Sequence, residues 1–521
     1  MSIRWNGAHC VLKAAEAMGA EICFANPGTT ELTLVRALDD LPGIRPVLGL
    51  FEGVCTGAAD GYARVSGKPA LTLLHLGPGF ANGIANLHNA RRAMSPVVNI
   101  IGDHATWHLP FDAPLTSDID SLAKPVSKEV IYLQDGEALS AQVKRAFEGA
   151  IGPAGSVVTL IAPTDVMDAE MKEGETPPSV SPLAVAPRPV ETAHIDECLN
   201  ALPKNGPLVI LLGADTLAER GQRAAARIAG AFSARLLMES YPAIVSLGGD
   251  LPRLERLAYF PQDVLKQLNG ATVLLAGARA PVSYFGYEGQ PSALVPPDRI
   301  VCLSRPGQDG IAALEALADR IGSDGRGMPP VVPATQSARG SALCPADVVD
   351  ELVDRLPEDA IISLEGSTLG GPYLQQAHRA RRHRVMTNTG GAIGQGLPCA
   401  AGAALASPGT RVVSLQSDGS AHYTVQALWT MAREKLPVTV IIAANHRYGI
   451  LQTELTRAGA DVDQPVNGRL TRLDNPRADW VALAQGYGVP GVRVATRAEF
   501  REALNAGFAE AGPFLIQVEL S

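Results

Sequence analysis

Short apolar runs recur along the whole chain, separated by longer stretches in which apolar positions have helical spacing. The clearest runs read PALTLLHL, PVVNIIGD, PLVILLGAD, TVLLAGA, RVVSLQSDG and PVTVIIAAN. Runs of this length, rich in Val, Ile and Leu, are typical of strands buried on both faces of a sheet. Their alternation with helices predicts an α/β fold built from doubly wound parallel sheets.

Two stretches rich in Pro, Gly and Ser divide this pattern into three blocks. They lie at about 174–190 and 323–341 and are typical of linkers. The chain has 521 residues, which corresponds to about three domains of roughly 100–200 residues each. We therefore expect three domains, at 1–173, 190–322 and 342–521, each with its own doubly wound parallel sheet.

The composition argues against several classes of protein. Lys and Arg number 44 and Asp and Glu 53, and this net charge of −9 does not indicate nucleic acid or an anionic membrane as a partner. The seven Cys are widely spaced and include no CxxC pair, so neither a zinc site nor a disulfide framework is indicated. Free thiols, no recognisable secretory signal and no run of ~18 apolar residues predict a cytoplasmic protein without a transmembrane helix.

Polar and Gly-rich segments follow the predicted strands of the first and third blocks. In the first block they are NPGTTE, Glu52 and GPGFANG, and in the third block they are GGAIGQGLP, SDGS and NHRYG. Ligands of open parallel sheets bind beyond the carboxyl ends of the strands. We therefore expect the functional site at these ends. The middle block offers GAD and AGARAP at the matching places, with fewer chemical groups.

Asp418 and Asn445 form the most informative pair in the sequence. Asp418 follows one predicted strand, and Asn445 ends the next strand, at the spacing of one βαβ unit of roughly 30 residues. Carboxylate and amide oxygens suit Mg²⁺, which proteins commonly share with phosphates. Gly419 and Ser420 offer backbone N–H groups to such a phosphate. SDGS alone could be an ordinary turn and Asn445 a cap, but their pairing across one crossover favours a magnesium and phosphate site.

The segment from Asp418 to Asn445 resembles the thiamine-diphosphate motif, in which GDG is followed by NN at the end of the next strand. This resemblance implies that Asp418, Asn445 and the backbone carbonyl of Arg447 bind the metal ion. Ser417 replaces the first Gly of the motif and Ala444 replaces its first Asn, and neither position is a proposed ligand. The upstream segment LEGSTLGG resembles a second diphosphate-contacting loop. Cofactor contacts are thereby implied for Gly366, Ser367, Thr368, Gly419, Ser420 and Tyr448.

The segment TNTGGAIGQGLP resembles the stretch that holds the aminopyrimidine ring of the cofactor in the same family. The resemblance implies that Gly391 offers its carbonyl to the exocyclic amino group. It also implies that Ile393 is the apolar wedge that bends the cofactor. Without the resemblance, Ile393 would be interpreted as a core residue.

Glu52, His75 and Thr29 are the candidate catalytic residues of the first block. By itself, Glu52 could be a first-turn glutamate favoured by the helix dipole, and Thr29 or Thr30 could cap a helix that has Glu31 in its first turn. However, a Glu followed by GxxxGAADGYAR and then by KPALTLLHLGPGFANG resembles the pyrimidine domain of acetohydroxyacid synthases and benzoylformate decarboxylases. The similarity covers essentially the whole chain, with all three domains in order.

This resemblance assigns a role to each candidate. Glu52 would bond the pyrimidine ring nitrogen and promote the imino tautomer of the cofactor. His75 would relay protons, although it could also be a core histidine, and Thr29 would contact the substrate carboxylate. A second active-site His of benzoylformate decarboxylases is expected in APVSYFGYEGQPS, which has none. Its aromatic residues are Tyr284, Phe285 and Tyr287.

The resemblance implies a thiamine-diphosphate and Mg²⁺ dependent transferase or lyase similar to acetolactate synthase. Such an enzyme forms an enamine from a 2-keto acid and adds it to a second carbonyl. The alternatives are a benzoylformate-type decarboxylase that releases an aldehyde and a catalytically silent cofactor-binding paralogue. A nicotinamide dehydrogenase is disfavoured because GAIGQG lacks the GxGxxG spacing.

The same resemblance implies the organisation of the protein. The three predicted domains would be pyrimidine-binding, central and diphosphate- and Mg-binding, in that order. The enzyme would be a homodimer or homotetramer with shared active sites. No sign of FAD is found in the sequence of the central domain.

Overall fold

The computed structural model describes residues 4–134, 138–172, 177, 179–181, 185–322 and 343–520. The predicted linker at 323–341 lies outside the described residues, and that at 174–190 lies partly outside them. The described residues contain three β-sheets flanked by helices, which agrees with the predicted α/β class. Within the same residues, no helix combines the length and the apolar character needed to cross a membrane.

The first block contains a six-stranded sheet in which every pair of neighbouring strands is parallel. Its strand order is β2-β1-β3-β4-β6-β5, with strands β1 (Ile22–Asn26), β2 (Arg45–Leu48), β3 (Ala70–Leu74), β4 (Val97–Asp103), β5 (Glu129–Tyr132) and β6 (Val157–Pro163). The helices are α1 (Gly7–Ala17), α2 (Leu32–Asp40), α3 (Glu52–Ser66), α4 (Leu76–Ala93), α5 (Ile119–Ala123), α6 (Ala138–Ile151) and α7 (Thr164–Asp168).

The middle block contains a five-stranded parallel sheet in the order β10-β8-β7-β11-β12. The strands of this block are β7 (Leu208–Leu212), β8 (Arg235–Met238), β9 (Ile244–Leu247), β10 (Glu255–Arg256), β11 (Thr272–Ala276) and β12 (Ile300–Ser304). Its helices are α8 (Thr192–Ala201), α9 (Glu219–Phe232), α10 (Pro261–Gln267) and α11 (Gly310–Ile321).

The third block contains a sheet in the order β17-β18-β16-β15-β13-β14-β9. Its own strands are β13 (Ile361–Leu364), β14 (His383–Thr387), β15 (Val412–Ser417), β16 (Val438–Ala444), β17 (Gly491–Val494) and β18 (Phe514–Glu519). The helices are α12 (Pro345–Arg355), α13 (Ser367–Gln376), α14 (Gly396–Ala406), α15 (Asp418–Ala421), α16 (Ala427–Arg433), α17 (Gly449–Arg457), α18 (Pro465–Thr471), α19 (Trp480–Gly486) and α20 (Arg497–Ala509).

One strand departs from the division into three separate sheets. β9 belongs to the middle block by sequence, yet it pairs antiparallel with β14 at the edge of the third sheet. Its Val245 and Leu247 are buried, so the pairing covers both an open strand edge and two apolar side chains. The middle block is therefore fastened to the third sheet through backbone hydrogen bonds.

Helices α3 and α14 bring the first and third blocks together at very short range. A Cβ on Gly61 would collide with the backbone of Cys399, and a Cβ on Gly402 would collide with the carbonyl oxygen of Ala58. The two helices can approach this closely because both positions lack a side chain. α3 begins at Glu52, and α14 follows the predicted pyrimidine-binding segment. The packing of the two helices therefore fixes the position of Glu52 relative to that segment in the same chain.

A buried ion pair reinforces the same junction. Asp60 and Arg64 of α3 are paired at 2.5 Å and are almost fully buried. Arg64 also donates to the carbonyl oxygens of Thr387 at 2.7 Å and Ala243 at 3.2 Å. Because a buried guanidinium needs all its hydrogen bonds satisfied, these partners hold the three blocks in one arrangement.

Candidate active site

Asp418 is buried at the carboxyl end of β15, at the start of the short helix α15. Its carboxylate accepts hydrogen bonds from the backbone N–H of Gly419 at 2.8 Å and of His446 at 2.6 Å. Burial raises the pKa of Asp418, and these two N–H donors oppose the shift. The carboxylate is therefore held between the ends of β15 and β16, where it can act as a hard oxygen ligand.

Asn445 follows β16 and lies beside the segment that begins α13. Its Nδ2 donates to Oγ1 of Thr368 at 3.0 Å, and its Oδ1 accepts from the backbone N–H of Arg447 at 3.2 Å. Ser417 and Thr368 lie 3.4 Å apart through their hydroxyl oxygens. The structure thus brings together the three segments that the sequence predicts to hold the metal ion and the diphosphate.

Two glycines leave room for this arrangement. Gly366 has φ +100°, and a Cβ at this position would collide with Ser417. A Cβ on Gly419 would lie 2.6 Å from the ring of Tyr448, so this ring covers the backbone after Asp418. The replacement of the motif's first Gly by Ser417 is accommodated because Gly366 has no side chain.

The predicted pyrimidine-binding segment is shaped by Glu365, which the sequence analysis did not single out. This buried carboxylate accepts from the backbone N–H groups of Gly394 at 2.9 Å, Gln395 at 3.1 Å and Gly396 at 2.9 Å. Burial raises the pKa of Glu365, and these N–H groups oppose the shift. The sequence offered one indication of this role, a Glu at the end of a predicted strand in the same block as the Gly-rich segment GGAIGQGLP.

Gly391 and Ile393 lie in the same loop. Gly391 has φ +78°, and its N–H donates to Oδ1 of Asn388 at 2.9 Å. Ile393 is half-buried. Asn89 of α4 donates to the carbonyl oxygen of Ala392 at 2.8 Å, and Asn86 donates to that of Gly394 at 3.2 Å. The loop is therefore anchored from both the first and the third blocks.

Glu52 and His75 both lie close to Gly79. A Cβ on Gly79 would be 3.0 Å from Oε1 of Glu52 and 3.3 Å from Cβ of His75. Glu52 is half-buried, and its Oε2 accepts a hydrogen bond from Nδ2 of Asn82 at 3.0 Å. The structure therefore brings these two predicted catalytic residues together at the carboxyl end of the first sheet.

His75 is held by residues of the NPGTTE segment. Its Nδ1 lies 2.8 Å from Oε2 of the fully buried Glu31 and 3.2 Å from Oγ1 of Thr30. A Cβ on Gly28 would collide with the imidazole ring, so only glycine leaves space for it. Thr29 is exposed in the single chain, and its role at the substrate stays a prediction.

Comparison with known proteins identifies the family. The N-terminal TPP binding domain of thiamine pyrophosphate enzymes matches residues 5–123, and the C-terminal TPP binding domain matches residues 370–518. The chain belongs to the thiamine pyrophosphate enzyme family. The resemblance found in the sequence is thereby confirmed, and the protein is a thiamine-diphosphate-dependent enzyme.

Relatives of this thiamine pyrophosphate enzyme include proteins named as acetolactate synthases and proteins named as benzoylformate decarboxylases. A Mycobacterium tuberculosis protein named "Putative acetolactate synthase large subunit IlvX" is 45% identical, over 98% of both chains. A benzoylformate decarboxylase of Pseudomonas aeruginosa is 29% identical, over 96% of both chains. The structure of a 4-hydroxybenzoylformate decarboxylase from Rhodococcus jostii RHA1 matches with a TM-score of 0.86 and 27% identity, over 99% of both chains.

In this thiamine pyrophosphate enzyme, the segment that follows Asn445 and Arg447 forms helix α17. α17 carries Ile450 and Leu451, both exposed in the single chain. Its Glu454 accepts from the hydroxyl of Tyr287 at 3.2 Å, and the guanidinium of Arg457 lies 3.9 Å from the ring centre of Phe260. α17 is thus fastened to the middle block at its C-terminal half.

Proposed function

We propose that the protein is a thiamine-diphosphate and Mg²⁺ dependent 2-keto acid decarboxylase and carboligase, similar to acetolactate synthase. Glu52 and His75 carry this proposal, because both lie close to Gly79 at the carboxyl end of the first sheet, where they would act as an acid–base pair. The 45% identical relative named as an acetolactate synthase subunit favours the carboligase activity. The reaction would begin with the loss of CO₂ from a 2-keto acid and end with a hydroxyketone or an aldehyde.

The residues around Asp418 fit a divalent cation and a diphosphate. Asp418, Asn445 and the carbonyl of Arg447 would hold Mg²⁺, because together they form a set of hard oxygen donors. Contacts to the diphosphate would come from the backbone and side chains of Gly366, Ser367, Thr368, Gly419, Ser420 and Tyr448. Thr368 fits this role because its hydroxyl already lies within hydrogen-bond distance of Asn445.

The loop around Gly391 and the carboxylate of Glu52 fit the pyrimidine end of the cofactor. Gly391 would present its carbonyl, Ile393 would support the bent cofactor, and Glu52 would bond a ring nitrogen. When bound, thiamine diphosphate would supply a carbon nucleophile for the 2-keto group and a cationic thiazolium ring that accepts the electron pair released as CO₂ leaves. The contribution of the protein is to orient the substrate, to exclude water and to move protons.

His75 would deliver or remove protons at the reacting carbon or its oxygen. Nδ1 faces Oε2 of Glu31, so it would donate its hydrogen bond there and leave Nε2 for proton transfer. Thr29 would hold the carboxylate of the bound 2-keto acid. The active sites would be shared between the subunits of a homodimer or homotetramer in the cytoplasm. FAD is not expected to be required for activity.

The second candidate function is a benzoylformate-type decarboxylase that releases an aldehyde. The presence of His75, the 29% identical relative and the 27% identical structure favour it. The lack of a His in the segment from 281 to 292 argues against it, since that segment presents Tyr284, Phe285 and Tyr287 instead. We therefore prefer carboligation to aldehyde release as the proposed outcome of the reaction.

A screen of 2-keto acids tests the proposal directly. CO₂ release is measured with pyruvate, 2-ketobutyrate and benzoylformate, with and without thiamine diphosphate and Mg²⁺, and the products are separated and identified. We expect turnover of small aliphatic donors and hydroxyketone products. Turnover of benzoylformate alone, giving only benzaldehyde, would establish the second candidate. No CO₂ from any 2-keto acid, despite cofactor binding, would indicate a silent paralogue.

A further inference from the structure

Three tyrosines of the middle block converge beside the loop that contains Gly391. Tyr241 follows β8, Tyr259 follows β10, and Tyr284 lies in the connection between β11 and β12. Their ring centroids are 5.0 Å apart for Tyr259 and Tyr284, 5.6 Å for Tyr241 and Tyr284, and 6.3 Å for Tyr241 and Tyr259. The three rings therefore support one another, and we call them the tyrosine cluster.

Tyr284 is the member of the tyrosine cluster that reaches the loop containing Gly391. A Cβ built on Gly391 would lie 3.1 Å from the Tyr284 hydroxyl oxygen, so this hydroxyl stands directly over a residue expected to bind the cofactor. Tyr284 is nevertheless 40% exposed, so part of its side chain remains accessible. The side chain is thus held by the neighbouring rings and remains partly accessible.

The hydroxyls of the tyrosine cluster are free to bind a ligand. Within the part of the chain that the structure describes, none of the three phenols forms a hydrogen bond to the protein. Burial raises the pKa of Tyr259 and of Tyr284, so both remain neutral hydrogen-bond donors at neutral pH. By contrast, the neighbouring Tyr287 already donates to Glu454 at 3.2 Å.

Positive charge lies close to this group of donors. The guanidinium of Arg256 stacks at 4.9 Å from the ring centre of Tyr241, and its Nε donates to the carbonyl oxygen of Ser240 at 2.8 Å. The charges of Arg256 and Arg92 both act on the Tyr284 phenol. Phenol donors beside guanidinium groups favour an anionic oxygen ligand such as a carboxylate.

We propose that Tyr284, supported by Tyr241 and Tyr259, binds a substrate carboxylate other than the one lost as CO₂, and so determines specificity. This inference rests on the proposed function, because it places the carboxylate in a reaction between 2-keto acids. The carboxylate belongs either to an acceptor 2-keto acid or to the side chain of a dicarboxylic donor. Tyr284 acts in substrate choice and not in the loss of CO₂.

The test uses Tyr284→Phe in the full-length holoenzyme, with two competition ratios as readouts. In the acceptor ratio, pyruvate is the donor while pyruvate and propanal compete as acceptors, and acetolactate is compared with hydroxypentanone. In the donor ratio, kcat/KM for CO₂ release from 2-ketoglutarate is compared with that from 2-ketobutyrate. Ratios within one protein sample are insensitive to partial misfolding of the variant.

We expect Tyr284→Phe to lower one of these ratios by roughly tenfold or more, since a hydrogen bond to a charged group is lost. A fall in the acceptor ratio assigns the carboxylate to the acceptor, and a fall in the donor ratio assigns it to the donor side chain. The kcat/KM for CO₂ release from 2-ketobutyrate should change less than about threefold, because it reports only the steps up to the loss of CO₂, in which this donor presents no second carboxylate.

Tyr287→Phe is the matched control, because it removes a phenol from the same connection that is already bonded to Glu454. It should leave both ratios unchanged. If Tyr284→Phe keeps both wild-type ratios, or if Tyr287→Phe changes them equally, the assignment of Tyr284 is wrong while the proposed function stands. A wild-type enzyme that releases no CO₂ from any 2-keto acid overturns both.

Discussion

Glu31 lies fully buried behind His75, with its Oε2 2.8 Å from the imidazole Nδ1. The same carboxylate accepts from the backbone N–H of Gly28 at 2.8 Å and from the hydroxyl of Thr30. A carboxylate with this many donors is fixed in place, and its contact with Nδ1 holds the imidazole ring in one orientation. We therefore propose that Glu31 is a positioning residue that acts through His75.

A double-mutant cycle tests this relationship. Glu31→Gln should lower kcat for aldehyde release by roughly tenfold with little change in KM, as expected when an orienting partner is lost. His75→Ala should lower aldehyde release more than hydroxyketone formation, because only the aldehyde arises by protonation of the reacting carbon. In the double variant, the loss should match that of His75→Ala alone. Additive losses would show that Glu31 acts independently of His75.

Glu52→Gln should retain cofactor binding and lose turnover by about 100-fold or more, the scale of an acid–base group. The amide keeps the shape of the side chain but cannot exchange a proton with the pyrimidine ring. Exchange of the cofactor's thiazolium proton with D₂O is the direct readout. Asn82→Ala serves as the control, since it removes the hydrogen-bond partner of Glu52 and keeps the carboxylate. Exchange at the wild-type rate in Glu52→Gln would rule out the assigned role.

The approach of the strand ends that carry Asp418 and Asn445 was predictable from sequence for a simple physical reason. Neighbouring parallel strands have their carboxyl ends at the same edge of the sheet. Once the strands before Asp418 and Asn445 are recognised as neighbours, the two residues are predicted to lie close together. The register of β15 and β16, which pairs Ser417 with Ala443, brings this about. The parallel sheets could be predicted because their strands are apolar on both faces, which is typical of sheets covered by helices on both sides.

Other features depend on contacts that no local pattern encodes. Glu31 has the spacing of a helix-capping residue, and its contact with His75 joins positions 44 residues apart. β9 is only four residues long, so its pairing with β14 depends on the approach of two blocks. The tyrosine cluster draws its members from three separate connections of the middle block. These arrangements follow from tertiary packing and not from periodicity.

Asp418→Ala should weaken Mg²⁺-dependent binding of thiamine diphosphate by at least roughly 100-fold, because it removes a proposed metal ligand. Titration calorimetry with the cofactor and Mg²⁺ measures this loss, and circular dichroism checks the fold. Asp215→Ala is the matched control, since Asp215 also follows a parallel strand but caps α11 in the middle block. Equal affinity of Asp418→Ala and wild type would exclude the proposed metal site.

The active enzyme should be a dimer or a tetramer. The connection after β4 exposes Trp107 to 69% and Phe111 to 74% in the single chain, an apolar surface that association would cover. Light scattering at working concentrations should show the oligomer. Trp107→Asp combined with Phe111→Asp should shift it toward monomer and lower activity, whereas Val492→Asp at another exposed apolar position should do neither. A fully active monomer would contradict this prediction.

His383 is expected to make the stability of the third block depend on pH. Its ring is buried, with Nε2 2.8 Å from the Tyr373 hydroxyl and Nδ1 2.8 Å from the carbonyl oxygen of Arg381. Burial lowers the pKa of His383 from 6.5 to about 4. Between these two values the unfolded chain binds more protons than the folded chain, so the free energy of unfolding falls as the pH is lowered.

The full loss between pH 6.5 and 4 should be about 3 kcal/mol, at about 1.4 kcal/mol for each unit of pKa difference. Urea unfolding at a series of pH values measures it. His383→Gln keeps a polar side chain that does not titrate, so its stability should decline less steeply across this window, whatever its absolute stability. The slope will not vanish, because burial also lowers the pKa of His422. Parallel curves for wild type and His383→Gln would show that His383 does not contribute to the acid sensitivity of the fold.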